Sequence, residues 1–455
     1  MLGSHPLFRT SAERQDDITP EHPNASRPIP LKARNAAGYH RPSMPLTPLE
    51  QEIQSAAAAR REALLADLKL HVEMPTGANN APALDASRTM LLDRLSRLGA
   101  STTIVPGDPK PDWLLGASGG PIPPTAVASR PSRDGSLTRI LLAGHLDTVH
   151  DPAGPFLKLT PSADGKTALG PGCVDMKGGI VIAVAALEIL HELGLDTNWS
   201  FLLNSDEETG SYHSERAIRD AARTHELALA LEPALPDGSL VVERAGSGQF
   251  KVEAFGKTAH VGRDFTAGVS AVTALAHTLV ALSRLPEPSR GMIVNVGPLK
   301  GGDVTNAVPD FAQAWGNVRF PNPEGCEELA RKVDALATPA NAPSDALPRI
   351  VIKRSFNRPA KPLTPGVQYL ADSARQAAED LGQRMPFGKT AGVCDGNILQ
   401  DEGMPCIDTL GVRGGGLHTP DEWIDLLSLV ERCALLAILM SRLSTANRAR
   451  LGTRP

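Results

Sequence analysis

Cysteine is scarce and scattered in this chain of 455 residues: Cys173, Cys326, Cys394, Cys406 and Cys433, an odd number with no Cys-x-x-Cys pair. That spacing signals neither a disulfide framework nor a thiolate zinc site, and it fits a reducing compartment. Charge of one sign is not concentrated either. The formal net charge is −5 with both signs interspersed, and without a basic stripe no nucleic-acid partner is expected. No apolar run is long and uninterrupted enough to span a bilayer. The longest, residues 180–195, is broken by Glu188, His191 and Glu192 and reads as a packed helix, so no membrane partner is expected. Residues 1–46, rich in Pro, Ser, Arg and Asn, lack the apolar core of a signal peptide. They are expected to be a disordered tail, and the chain is expected to be cytoplasmic. No internal repeat is evident.

The length exceeds one ordinary core and predicts two domains. Plentiful Gly and Pro (41 and 39 residues) suit a loop-rich α/β enzyme. Helical apolar spacing runs over 49–71 and again over 86–98, followed by a strand at 100–105. Residues 139–143 form a mostly apolar run, as expected of a strand buried on both faces. A buried helix over 178–193 is stopped by Gly194. Strands follow at 199–203, 227–231 and 405–410, with a closing helix at 426–443 and a frayed Arg-rich end from 441 to 455. Between them lies a different pattern. Strands at 249–255, 292–296, 312–320 and 350–353 alternate with helices at 269–285 and 327–336. The order βαββαβ matches a ferredoxin-like unit inserted into the first domain. The expected division is a catalytic domain in two parts, 47–243 and 359–446, an inserted domain over 244–358, and a C-terminal tail over 447–455.

Polar residues with metal-binding chemistry fall where these strands end. They are His145 and Asp147 in Gly144-His145-Leu146-Asp147, Asp175 before Gly178-Gly179, the pair Glu207-Glu208, Glu232 in Leu231-Glu232-Pro233, and His418 behind Gly414-Gly415-Gly416-Leu417. Taken singly, each has an ordinary explanation. A His at a strand end is usually a polar surface or core residue, a Glu pair is usually a solvated face, and Glu232 before a proline starts a turn. Taken in this order, at the edge where open α/β sheets form their crevices, they suggest a two-metal hydrolytic site. Zinc accepts His nitrogen and carboxylate oxygen, and a catalytic site keeps one position for water. Two zincs about 3.5–4 Å apart need a bridging group, which an Asp in a Gly-flanked loop supplies. Of two consecutive glutamates, one can face the metal and the other a water as general base. Asp147, two residues after His145, suits the fixing of its second ring nitrogen.

These motifs resemble the zinc-dependent exopeptidase/deacylase superfamily that includes glutamate carboxypeptidase, aminoacylase, acetylornithine deacetylase and succinyl-diaminopimelate desuccinylase. The resemblance spans about 49–443. It leans toward glutamate carboxypeptidases of the carboxypeptidase G type through Leu231-Glu232-Pro233-Ala234, Gly256-Lys257-Thr258-Ala259-His260-Val261-Gly262 and Cys394-Asp395-Gly396-Asn397. It implies an α/β fold, with a mixed-sheet zinc-peptidase catalytic domain and a ferredoxin-like βαββαβ domain serving as lid and dimerisation surface. It implies one zinc on His145, Asp175 and Glu232, and another on Asp175, Glu208 and His418, with cobalt or manganese as possible substitutes. Glu207 would be the general base, Asp147 would orient His145, and His260 would reach the site of a partner subunit in a homodimer. Arg319, Asn306 and Gly415 match substrate-binding positions, with Arg358 and Lys353 as weaker alternatives to Arg319. The implied substrate is a small peptide or N-acyl amino acid with a free carboxylate. The alternatives are an N-acyl amino-acid deacylase and a catalytically silent metal-binding dimer. The chain departs from the family at Cys394, where relatives often have Thr or Ser, so a thiol is expected to alter the pocket wall or make it oxidation-sensitive.

Overall fold

A computed structural model describes residues 45–78, 80–115, 120–446 and 448–452. The expected tail at 1–46 lies, up to residue 44, outside them. A six-stranded mixed sheet forms the centre, in the spatial order Ser101–Val105, Thr125–Arg130, Asn198–Asn204, Arg139–His145, Leu227–Ala230 and Cys406–Ile407. The first two pairings in this order are antiparallel, and the last four strands run parallel to one another. The apolar run at 139–143 serves two cores at once. Ile140 and Leu142 pack with the helices Gly178–Glu192 and Leu427–Leu443, while Leu141 and Ala143 pack with the helix Glu215–Thr224 and with Ile398 and Leu399. A strand buried on both faces has no need of alternation, which is why its sequence shows none.

Between the halves of this domain, the strands Gly246–Phe255, Ile293–Gly301, Phe311–Phe320 and Arg349–Arg358 form a separate antiparallel sheet. Its spatial order is second, third, first, fourth. The helices Ala271–Leu282 and Pro323–Asp334 cover one face, burying Phe250, Val252, Ala254, Ala312, Ala314 and Val318 against Leu275, Leu282, Leu329 and Val333. This is the expected ferredoxin-like unit. The two crossings into it are tied together. Arg244 and Lys361 exchange backbone hydrogen bonds, both 2.9 Å, and buried Asp408 accepts from Arg244 at 2.8 Å and pairs with Lys361 at 3.3 Å.

Three expectations need correction. The helix over 49–71 is two helices, Pro48–Ala59 and Arg61–Val72. The N–H of Arg60 turns back to the Ala57 carbonyl at 3.2 Å, yet Ile53, Ala57, Leu64, Leu68 and Val72 still share one buried stripe, so the apolar spacing hides the break. The strand over 405–410 is only Cys406–Ile407, because Asp408 turns inward to Arg244 and Lys361 and Thr409 takes a left-handed φ of 62°. The C-terminal end is not a frayed continuation of the last helix. A short helix, Arg448–Leu451, follows it and buries Leu451 in the main core. Among the described residues no helix is long and apolar enough to cross a membrane.

Candidate metal centre and active-site cavity

The parallel strands end at one edge of the central sheet, and the polar residues project from it. His145 is the last residue of its strand and is 1% exposed. Its Nδ1 lies 2.9 Å from the backbone oxygen of Asp147, and its Nε2 lies 3.2 Å from Asp175 Oδ1. Asp147 therefore does fix His145, but chiefly through its carbonyl, with the carboxylate at 3.5 Å. The Asp147 carboxylate has a second task, since its two oxygens accept the backbone N–H groups of Glu207 and Glu208 at 3.2 and 3.0 Å. One residue thus holds a candidate ligand histidine and the turn that carries both glutamates.

Asp175 occupies an irregular turn before the helix Gly178–Glu192. Glycine is required at the helix start by close approach. A Cβ on Gly178 would stand 2.6 Å from both the Cys173 oxygen and Val412 Cγ2, and one on Gly179 would stand 2.2 Å from the Leu231 oxygen. Those contacts pull the Asp175 turn against the strand that leads to Glu232. Glu422 clamps the same turn from below, accepting N–H groups from Gly172, Val174 and Asp175 at 2.8, 2.9 and 3.1 Å and meeting His150 Nε2 at 2.6 Å. His418 lies between the short strands Gly414–Gly415 and Trp423–Asp425, with a left-handed φ of 63°. Its Nε2 reaches Asp175 Oδ2 and Glu208 Oε2, each at 3.4 Å.

Two triads result: His145, Asp175 and Glu232, and Asp175, Glu208 and His418, each with its ligand atoms within 4.8 Å of one another. Asp175 belongs to both, as a bridging carboxylate must. Burial would raise its carboxyl, but hydrogen bonds from His145 and His418 hold it well below the usual range. Burial opposes the charged form of His145, and its bonds to Asp147 and Asp175 outweigh that effect and raise it. Burial, and then the neighbouring Asp175 charge, push Glu208 up to about 10. Glu232 is raised in the same sense, by burial first and then by Asp175 and Glu207, against the opposing charge of His145. Glu208 Oε1 is buried with no hydrogen-bond partner. Acids crowded in this way, with an orphaned oxygen and two imidazoles, match the donor set of two divalent cations.

Above the triads opens a cavity of about 620 Å³. Glu207 lines it, and burial raises its carboxyl to about 7 against the opposing charge of Arg358. Arg358 ends the last strand of the inserted domain and donates to Glu207 Oε1 at 2.9 Å and to Ser211 Oγ at 2.7 Å. Asp395 backs this pair, 3.3 Å from Arg358 and accepting from Ser211 and Asn204, each at 2.5 Å. From the sequence Arg358 is expected only as a substrate-binding alternative to Arg319. Its link to Glu207, the Glu422 clamp and the cavity residue Lys110 were all missed. The position of Glu422, four residues after His418, was the available signal for the clamp.

Arg319 lines the cavity as expected. Its partners are Ser247 Oγ, Asn317 Oδ1 and the Val318 carbonyl, and none is a carboxylate. His260, Asn306 and Gly415 are not brought to the cavity wall. His260 and Asn306 share an exposed corner of the inserted domain, where Val261 N–H bonds the Asn306 carbonyl at 3.1 Å and His260 bridges Ala307. Gly415 pairs with Trp423, whose indole nitrogen would stand 3.0 Å from an added Cβ. Lys353 pairs with Glu253 on the sheet at 3.3 Å. Cys394 is 1% exposed, and the wall beside it is made by Gly392 and Val393 instead.

A mixed α/β sheet, an inserted ferredoxin-like domain and a shared-aspartate pair of His/carboxylate triads define a metallohydrolase. The chain belongs to the peptidase family M20/M25/M40, whose family model matches residues 141–442. It is 26% identical to carboxypeptidase G2 of Pseudomonas sp. (strain RS-16) over 396 residues, covering 85% of this chain and 90% of that protein. It is 28% identical to succinyl-diaminopimelate desuccinylase of Methylorubrum populi over 335 residues, covering 67% of this chain and 82% of that protein. A tripeptidase structure from Staphylococcus aureus shares the fold, with a TM-score of 0.67 and 20% identity over 85% of this chain and 99% of that one.

Proposed function

We propose that the chain hydrolyses the amide bond of a peptide or N-acyl amino acid that ends in a free carboxylate, in the manner of a glutamate carboxypeptidase. The observation that carries this reading is the pairing of Glu207 and Arg319 on one cavity. Glu207 stands beside both triads as a carboxyl poised near neutrality. Arg319 presents a guanidinium with no acidic partner among the described residues, and burial is the one cause that lowers its pKa. A planar fork of this kind suits a terminal carboxylate.

His145, Asp175 and Glu232 would hold one zinc, and Asp175, Glu208 and His418 the other. Bound zinc supplies Lewis acidity and a lowered water pKa. Glu207 takes the proton from the attacking water and returns it to the leaving nitrogen, a task suited to a pKa near the working pH. Arg358 keeps the Glu207 carboxylate oriented toward the cavity. His260 and Asn306, exposed on one corner of the inserted domain, would serve the cavity of a second copy in a homodimer. The name of the desuccinylase relative supports the deacylase alternative, which shares all of this chemistry.

The test is metal analysis coupled to a panel of peptidyl and N-acyl amino acids. Hydrolysis of members with a free C-terminal carboxylate, and not of their amidated counterparts, is the expected result. Two bound metals with no hydrolysis across the panel would overturn the reading.

A further inference from the structure

We propose that Lys110 reads a second carboxylate on the substrate, so that the cavity selects amides carrying two anionic groups. The inference rests on the hydrolytic reading above and extends it to substrate class. Lys110 lines the same cavity as Arg319 but comes from a different wall, the segment between the strands Ser101–Val105 and Thr125–Arg130. Among the described residues no carboxylate lies within ion-pair distance of its ammonium, whose one hydrogen bond goes to Thr209 Oγ1. An ammonium has three donors, so two remain for a ligand. The group is half-buried, and burial lowers its pKa against the more distant charges of Asp206 and Asp147. Holding a partly desolvated cation without an ion-pair partner costs free energy that a solvated surface lysine avoids.

The segment carrying Lys110 is built to hold it in place. Pro109 and Pro111 flank it and restrict the backbone on both sides. On one side, Asp108 N–H bonds the His213 carbonyl at 3.1 Å, its own carbonyl meets His213 Nδ1 at 3.1 Å, and its carboxylate accepts from Arg216. On the other, Trp315 of the inserted domain donates its indole N–H to the Trp113 carbonyl at 2.8 Å. Leu114 and Leu115 follow and add apolar wall to the same cavity. The cation is thus fixed between anchors on two domains and faces the space where substrate must lie.

The second carboxylate can sit on the side chain of the released amino acid or on the acyl group, and matched substrates separate the two. The metal-loaded full chain and its Lys110→Met and Lys110→Arg variants are assayed on N-benzoyl-glutamate against N-benzoyl-glutamine, and on N-succinyl-alanine against N-butyryl-alanine. Lys110→Met is expected to lower kcat/KM for the acidic member of one pair by roughly tenfold or more, while its neutral member stays within about twofold and Lys110→Arg retains the preference. The pair that responds identifies the source of the carboxylate. Equal loss in both members of each pair, or no loss in either pair, overturns the inference. If the unaltered chain hydrolyses none of the four, the hydrolytic reading is decided by the wider panel above. Calorimetric titration with glutamate, glutamine, succinate and butyrate then decides the inference alone, and equal affinities for the unaltered chain and Lys110→Met overturn it.

Discussion

Arg358, at the end of the inserted domain, donates to both the side-chain Oε1 and the backbone oxygen of Glu207, at 2.9 and 3.1 Å. The proposed base is therefore positioned by a residue 151 places further along the chain, and its orientation depends on how the inserted domain is seated. The zipped crossings at Arg244 and Lys361, with Asp408 beneath them, fix that seating.

Removing the Arg358 charge should shift catalysis in a defined direction. The guanidinium opposes the rise of Glu207, which stands near 7, so its loss raises that pKa further. Arg358→Met is expected to lower kcat/KM by roughly tenfold to a hundredfold and to move the acid limb of its pH profile to higher pH. An unmoved limb would show that Arg358 does not act through Glu207.

Metal binding should release protons. Burial and the Asp175 charge hold Glu208 near 10 in the metal-free protein, so it carries a proton at pH 8 and must lose it to become a ligand. Calorimetric titration of zinc in buffers of different ionisation enthalpy should show at least one proton released and an affinity that rises with pH. Asp175→Ala should lose both metals, because both triads contain it, whereas Glu232→Ala should lose one. Metal counts that fall equally in the two variants would contradict the shared bridge.

The core contains a separate pH sensor of stability. His71 is 3% exposed, its Nε2 has no hydrogen-bond partner, and burial lowers its pKa to about 4. A histidine kept neutral in the fold lets the unfolded chain take up the proton first. Stability is therefore fully present above about pH 6.5 and falls between there and about pH 4, by on the order of 3 kcal/mol. His71→Leu should flatten that part of the stability curve in urea titrations, and an unchanged slope would rule His71 out as its origin.

Gly179 tests the packing that brings Asp175 to Glu232. A Cβ 2.2 Å from the Leu231 oxygen has no flexible side chain to displace, so Gly179→Ala should destabilise by about 1–3 kcal/mol and weaken metal binding as well. Loss of stability with unchanged metal affinity would separate the helix contact from the site.

The candidate metal ligands were legible because each sits in a short polar motif, beside a strand end or, for Asp175, just before a helix that starts on two glycines. The inserted domain was legible for a similar reason, since each strand and helix carries its own period. Arg358, Glu422 and Lys110 were not, because their partners are set by docking across the chain; nearness to His418 marks Glu422 but not the backbone turn it holds. The break at Arg60 escaped notice because Leu64 and Leu68 continue the stripe of Ile53 and Ala57 across it. The short strand Cys406–Ile407 was overextended because Asp408 and Thr409 sit in an apolar run, while Asp408 serves a buried ion network and Thr409 takes a left-handed φ.

The account turns on Glu207 as a proton carrier distinct from the metal ligands. The most direct measurement is zinc content and turnover of Glu207→Ala side by side with the unaltered chain. The account predicts two bound zincs and activity lowered by at least about a thousandfold, on the scale of losing an essential base. Near-normal turnover with two zincs bound would contradict it.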